Sequence, residues 1–370
     1  MHYDIIIVGS GLYGAAFARV ATDAGMRCLV LERRKHIAGN VYDEVRQGIN
    51  IHCYGPHIFH TDDEDVWRFV GRFAIFNSFR NMPLAHYRGR LYNLPFNMHT
   101  FYQIYGVTTP ADAMRCIGDE LLLENYPTPC NLEEQAVSLI GRPMYEILIK
   151  GYTEKQWGRK ATELPPSIIS RLPLRFTFDN SYFNDRWQGI PEDGYTAMVR
   201  RMLDGIEVMT ETDFNADRNY WLSHCRNVMY TGSLDELHEY VLGQLPYRSL
   251  RFEHMAYNCT NLQGCAVINE TDGDIPYTRV IEHRHFSNLQ PDVPVTIVTK
   301  EFPLEWREGM ERFYPLPFSD ARDLYERYRD LTAEVYPTVI LGGRLGLYRY
   351  LDMDACIAHA MQAVESVKSN

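Results

Sequence analysis

Apolar runs without polar alternation open and close this chain, and amphipathic helical stretches fill its middle. Tyr3-Asp4-Ile5-Ile6-Ile7-Val8 reads as a buried parallel strand, because β-branched residues follow one another without a polar face. Ala15 to Ala24 has helix-forming composition, Gly25 ends it, and Arg27 to Leu31 reads as a second apolar strand. Further on, Ala111 to Glu124 and Leu132 to Ile140 carry helical periodicity, separated by Pro127 and Pro129. Asn131 with Glu134 three residues later predicts a capped helix start. Met144 to Lys150 predicts another short helix. Alternation predicts strands around Tyr87 to Leu94, Arg175 to Phe178, Ala266 to Asn269 and Val295 to Thr299. Near the end, Val339-Ile340-Leu341 predicts a short buried strand, Gly342-Gly343-Arg344 a turn, and Asp354 to Val367 a closing amphipathic helix. The pattern is that of an α/β chain whose dinucleotide-type domain is built from both ends.

Between the first strand and the first helix stands Gly9-Ser10-Gly11-Leu12-Tyr13-Gly14, and Glu32 ends the second strand. In that order Gly9 makes the turn, Gly11 lets backbone approach a pyrophosphate, and Gly14 allows close helix packing. The helix start then offers free N–H groups to phosphates, and Glu32 accepts from ribose hydroxyls. Arg33 to Asn40 is a basic stretch containing Gly39, either a charged surface loop or a segment of the kind flavoproteins use for added contacts to their cofactor. His57 and His60 form an HxxH pair after Gly55-Pro56, but two histidines lack a third ligand, so no metal is expected. A loop pressed against a flavin is the reading preferred.

Composition narrows this picture. With 370 residues and 45% apolar content, two or three domains are expected. No apolar run of about 18 residues predicts a membrane span. A strand beginning at residue 3 leaves no room for a targeting segment, and the eight cysteines include no CxxC, so a cytoplasmic protein with free thiols is expected. A net charge of −11 argues against nucleic-acid or anionic-membrane partners. The 25 tyrosines fit either a well-filled core or a ring-lined cleft.

Three clusters carry candidate chemistry. Gly151 to Arg159 places Trp157 among glycines and polar residues, where it either stacks a nucleobase or caps a helix pair. Arg171 to Arg175 and Ile275 to Arg279 put arginines in proline-bearing segments, suited to a diphosphate or to surface ion pairs. Tyr348 to Asp354 follows the second glycine turn, with Asp352 or Asp354 placed to cap the last helix. No Ser-His-Asp pattern, Walker loop or paired-carboxylate spacing is present, which leaves the reaction to a cofactor.

The segments GSGLYG, YGPHIFHT, NLPFNMHTF, IKGYTEKQWGR, RLPLRFTFDN, IPYTRVIEH and GGRLGLYRYLDMD closely resemble the flavin-dependent UDP-galactopyranose mutases of bacteria, over essentially the whole chain. That resemblance implies an FAD-binding Rossmann-like domain, a helical insert domain and an antiparallel β-sheet domain. The expected boundaries are 1–80 with about 193–245 and 318–370 for FAD, 100–165 for the helices, and 81–99 with 166–192 and 246–317 for the sheet. It implies interconversion of UDP-galactopyranose and UDP-galactofuranose, without net redox, through a bond between reduced flavin N5 and sugar C1. The product would supply cell-surface polysaccharide, an external reductant such as NAD(P)H would keep FAD reduced, and a homodimer is expected. Carried over by position, Trp157 stacks on uracil, with Leu148, Tyr152, Thr153 and Asn269 nearby. Arg171 and Arg279 neutralise the diphosphate with help from Tyr182, Tyr314 and Tyr350, and Asn81 and His60 lie by the galactose. FAD is held by Gly9, Ser10, Gly11, Leu12, Gly14, Glu32, Arg33, Gly39, Asn40, His57, Ile58 and Phe214. Gly343, Arg344, Leu351, Asp352, Met353, Asp354, Ala355 and Cys356 complete that set. Two departures stand out: Ala38 replaces a usual glycine, and Leu148-Ile149 stands where relatives carry phenylalanines. The competing readings on this scaffold are a flavin amine oxidase, which would consume an electron acceptor, and a flavin-free binding protein like the GDP-dissociation inhibitors.

Overall fold

The computed structural model describes residues 2–124, 126–169, 172–287, 293–316 and 318–368. A five-stranded, wholly parallel sheet runs in the order Val339–Leu341, Cys225–Tyr230, Tyr3–Val8, Cys28–Leu31, Glu207–Met209. Its centre is the apolar run read first: Ile6 pairs with Val228 on one side and Leu29 on the other. Ile5, Ile6 and Ile7 are fully buried, as expected for a strand covered on both faces. The helix Leu12–Asp23 follows, starting three residues before the predicted Ala15 because Gly11 itself forms its N-cap. It packs against the closing helix Met353–Lys368, so Phe17 and Ala21 share one cluster with Ile357, Ala360 and Val364. The two ends of the chain therefore make a single core.

A seven-stranded sheet lies in the order Tyr314–Pro315, Tyr247–Tyr257, Thr296–Glu305, Arg279–Glu282, Val267–Glu270, Leu84–Tyr87, Arg90–Asn93. It is antiparallel except where Val267–Glu270 runs parallel to Leu84–Tyr87. The single strand predicted over Tyr87 to Leu94 is the second half of a hairpin, because Arg88 and Gly89 both take positive φ (49° and 76°) and turn the chain. Arg175 to Phe178 forms no strand; Arg175 N and Thr177 O instead bond the backbone at Phe96 and Met98. The longest strand, Tyr247–Tyr257, and the parallel strand Cys225–Tyr230 escaped the sequence reading, since charged residues interrupt their alternation.

The helical body comprises Met98–Tyr105, Pro110–Leu123, Leu132–Ile140 and a continuous run from Arg142 to Trp157. Asn131 caps as predicted: its side chain accepts from Glu134 N at 3.0 Å. The predicted short helix at Met144 to Lys150 is the π-type middle of that longer run. Phe101, Ile117, Val137, Tyr145 and Leu148 form its core together with Ala85 and Tyr92 of the hairpin. No helix among the described residues is long and apolar enough to cross a membrane.

Candidate functional site

Two open cavities, one at the ends of the parallel strands Tyr3–Val8, Cys28–Leu31 and Cys225–Tyr230 and the other against the strands Val267–Glu270, Arg279–Glu282 and Thr296–Glu305, share His57, Arg344 and Met353 as a common wall. The first is framed by the start of the helix Leu12–Asp23, whose N-cap Gly11 has no side chain to cap the first N–H groups, which leaves them available to a ligand. A Cβ on Gly14 would overlap the carbonyl oxygen of Gly9, which explains why helix and turn approach so closely there. Glu32 is buried at the end of its strand, with Oε2 accepting from Ser10 N (2.9 Å) and Ser10 Oγ (2.7 Å) and Oε1 from Arg34 N (2.9 Å). Of the residues predicted to hold the cofactor, Gly9, Gly11, Leu12, Gly14, Glu32, Arg33, Gly39, Asn40 and His57 line this cavity. Phe214, Gly343, Arg344, Leu351, Met353 and Cys356 do so from the far side. Ser10 stands behind Glu32, Ile58 and Asp352 line the second cavity, and Asp354 bonds Ala355 N (2.7 Å) in the first turn of the closing helix. Ala355 follows in that same turn.

The basic stretch is balanced by acids that the sequence did not reveal. Arg33 pairs with Glu236 and Glu311 (both 3.3 Å), and Arg34 with Glu311 (2.6 Å). Arg34 also donates to Asn40 Oδ1 (3.0 Å) and lies over the Tyr54 ring at 4.9 Å. This cavity thus has the glycine turn, helix terminus and strand-end carboxylate of a dinucleotide site. Its residues fit FAD.

The second cavity is the more polar. Arg279 and Asn269 face each other in register on adjacent strands, and Glu301 pairs in register with Arg279 from the next strand. Arg279 Nη1 lies 3.5 Å from Glu301 Oε2, and its guanidinium 5.8 Å from the Tyr152 ring. Arg344 sits over the rings of Tyr350 (4.7 Å) and Tyr314 (5.7 Å) and donates to Leu351 O at 2.9 Å. His60 stacks on Phe183 at 3.7 Å, with Nδ1 3.2 Å from Asp185 Oδ2. Asn81, Tyr182, Asn269, Arg279, Tyr314 and Tyr350 all line this space. Within it Asn81 Oδ1, Asn269 Oδ1 and Glu301 Oε2 are buried acceptors without a hydrogen-bond partner among the described residues. Buried acceptors left empty are costly, so a ligand rich in hydroxyl donors fits here.

His57 forms the divide between the cavities. Its Nδ1 is 2.9 Å from Gly55 O and its backbone N donates to His52 Nδ1 at 3.1 Å. Burial, helped by His52 and Arg344, lowers its pKa to about 3, so the ring is neutral and its Nδ1 donates to Gly55 O.

The predicted base-binding group stands apart from these cavities. Leu148 and Thr153 are buried, Trp157 packs against the helical core, and neither cavity is lined by Tyr152. Tyr152 borders the site beneath Arg279, whose guanidinium lies over its ring. Arg171 lies outside the described residues. Glu301, Glu311 and Phe183 were missed by sequence reasoning, because only strand pairing and loop packing bring them to the site.

A family model for UDP-galactopyranose mutase matches residues 147–350, and one for an NAD(P)-binding Rossmann-like domain matches residues 7–73. The chain is 38% identical over 371 residues to the Klebsiella pneumoniae protein named "Probable UDP-galactopyranose mutase", covering 99% of this chain and 95% of that one. It is 35% identical over 378 residues to the dTDP-fucopyranose mutase of Escherichia coli, covering 99% of both. The crystal structure of a reduced UDP-galactopyranose mutase superposes with a TM-score of 0.76 at 17% identity, over 99% of this chain and 96% of that one, which shows the shared fold.

Proposed function

This chain belongs to the UDP-galactopyranose mutase family, and from that premise we infer that it interconverts the pyranose and furanose forms of UDP-galactose with reduced FAD in its first cavity. The observation that carries this reading is the shared wall at His57, Arg344 and Met353, which joins a dinucleotide cavity to one rich in unpartnered acceptors. Reduced FAD bound there supplies an electron-rich ring nitrogen as nucleophile toward the anomeric carbon. The protein's own groups do the rest. Arg279 holds the diphosphate and stabilises its charge as the glycosidic bond breaks. Asn81 and His60 orient the sugar, so the reacting carbon is held in place rather than found by diffusion, while Asn269 lies by the nucleotide. Tyr182, Tyr314 and Tyr350 offer hydroxyls to the phosphates, while Trp157 and Tyr152 meet the base, with the buried Leu148 and Thr153 packed behind them.

A second substrate is favoured by one observation: the dTDP-fucopyranose mutase of Escherichia coli matches over 99% of both chains. Such a substrate lacks the hydroxyl at sugar C6 and the ribose 2′-hydroxyl and adds a methyl to the base. The test incubates dithionite-reduced holoenzyme with UDP-galactofuranose and, separately, dTDP-fucofuranose, and separates the products by chromatography. Conversion of UDP-galactofuranose by reduced but not oxidised enzyme is expected. Conversion of neither substrate overturns the mutase reading. Faster conversion of dTDP-fucofuranose replaces the substrate.

The division into FAD, helical and sheet domains at the boundaries given above belongs to the same proposal. So does a cytoplasmic setting, supported by eight unpaired thiols. A homodimer is supported by the exposed Met114, Leu122 and Leu123 of one helix, and light scattering tests it. An external reductant such as NAD(P)H would keep FAD reduced, and the product would enter cell-surface polysaccharide.

A further inference from the structure

Lys155 lies in the helix Gly151–Trp157 and reaches into the turn between the strands Val267–Glu270 and Arg279–Glu282. Its Nζ donates to the carbonyl oxygens of Glu270 (2.8 Å), Asp272 (2.8 Å) and Tyr277 (3.0 Å). All three ammonium hydrogens are thereby used, and the acceptors come from both arms of the turn. The same turn presses on the start of the helix, where a Cβ on Gly151 would overlap Thr271 O and come within 2.7 Å of Gly273 N. At the other end, Arg248 of the strand Tyr247–Tyr257 donates to Gln156 O (2.8 Å) and Lys155 O (3.2 Å).

These bonds lock together two pieces that the sequence holds far apart. The helix carries Tyr152, Thr153 and Trp157, and the turn separates Asn269 from Arg279. A compact ammonium suits the carbonyl tripod better than a planar guanidinium would. We propose that Lys155 is a positioning residue that fixes the base-binding helix relative to Arg279, so that one ligand's base and diphosphate are held together. The proposal rests on the nucleotide-sugar reading above.

Burial lowers the pKa of Lys155 to about 8, with Glu270 and Asp272 opposing that shift. The other charged or titratable groups around it are Arg248, which holds its helix, and His86, which pairs with Glu270 at 2.7 Å. A neutral amine keeps only two hydrogens, so one of the three carbonyls loses its donor as pH passes 8.

The test titrates holoenzyme with UDP and UMP at pH 7, 8 and 9, reading flavin fluorescence, for the native chain and Lys155→Met. Flavin content and thermal midpoint are measured alongside. In the variant the Kd for UDP should rise tenfold or more and that for UMP less than threefold, because only UDP spans base site and Arg279 fully. The native Kd for UDP should rise threefold or more from pH 7 to 9, while the variant's stays flat. Equal UDP binding by both proteins, or equal weakening of UDP and UMP, overturns the proposal. If Lys155→Met loses its flavin, the native pH profile decides, and a flat one overturns the proposal. Native enzyme that binds neither UDP nor dTDP overturns the nucleotide-sugar reading itself, a distinct result.

Discussion

Ala38 holds a left-handed backbone (φ 76°) inside the cofactor loop, fully buried, with its N–H bonded to Ser10 O at 3.1 Å. The sequence raised it as a methyl replacing hydrogen; the structure shows that the cost lies in the backbone. An alanine there carries roughly 1–2 kcal/mol of strain, part of which glycine returns as unfolded-state freedom. Ala38→Gly should therefore stabilise the protein by about 0.5–1 kcal/mol, read as a higher urea midpoint; a lower one rejects this account. Arg279 is the other residue on which a single change is decisive. Arg279→Ala should lower turnover by roughly 10²–10³, the scale for removing one preorganised charge, with flavin content unchanged. Near-native turnover would show that the diphosphate is held elsewhere.

At the scale of elements, the helix Leu132–Ile140 depends on its cap. Asn131→Ala should cost about 1 kcal/mol in urea unfolding while leaving turnover unaltered, since the Asn131 side chain bonds Glu134 and lines neither cavity. The run from Arg142 to Trp157 serves the site differently: its π-type segment Tyr145–Lys150 precedes the residues proposed to meet the base. Stacking is much the same before and during reaction, so Trp157→Ala should raise KM with kcat nearly unchanged. A collapsed kcat at constant KM would move Trp157 into the chemistry.

Across the whole molecule, buried histidines link the strand Ile49–His52 to the seven-stranded sheet. His52 N donates to His283 Nδ1 (3.3 Å), and His283 Nε2 lies 2.6 Å from Thr299 Oγ1. Burial lowers the pKa of His52 to about 4 and that of His283 well below the ordinary range. Unfolding lets these rings take up protons below about pH 6.5, so the stability they confer is complete above that pH and is lost as pH falls towards 4. Each contributes a slope of up to about 1.4 kcal/mol per pH unit in that window. The urea midpoint should fall between pH 6.5 and 5, and His283→Gln should flatten that fall. An unchanged slope would mean that other groups set it.

The strand–turn–helix at the start and the strand and helix at the end were legible because their signals are local. An unbroken β-branched run, a glycine turn and a 3.6-residue period each depend on neighbours in the chain. Asn81, Tyr182, Asn269, Tyr314 and Tyr350 were placed at the site by likeness to a family rather than by any local pattern. Glu301 beside Arg279, Glu311 beneath Arg33 and Arg34, and the carbonyl tripod around Lys155 were legible in neither way. Those contacts join residues tens to hundreds of positions apart through strand register and loop packing. Register is fixed only when whole faces bury together, so no local stretch of sequence specifies them.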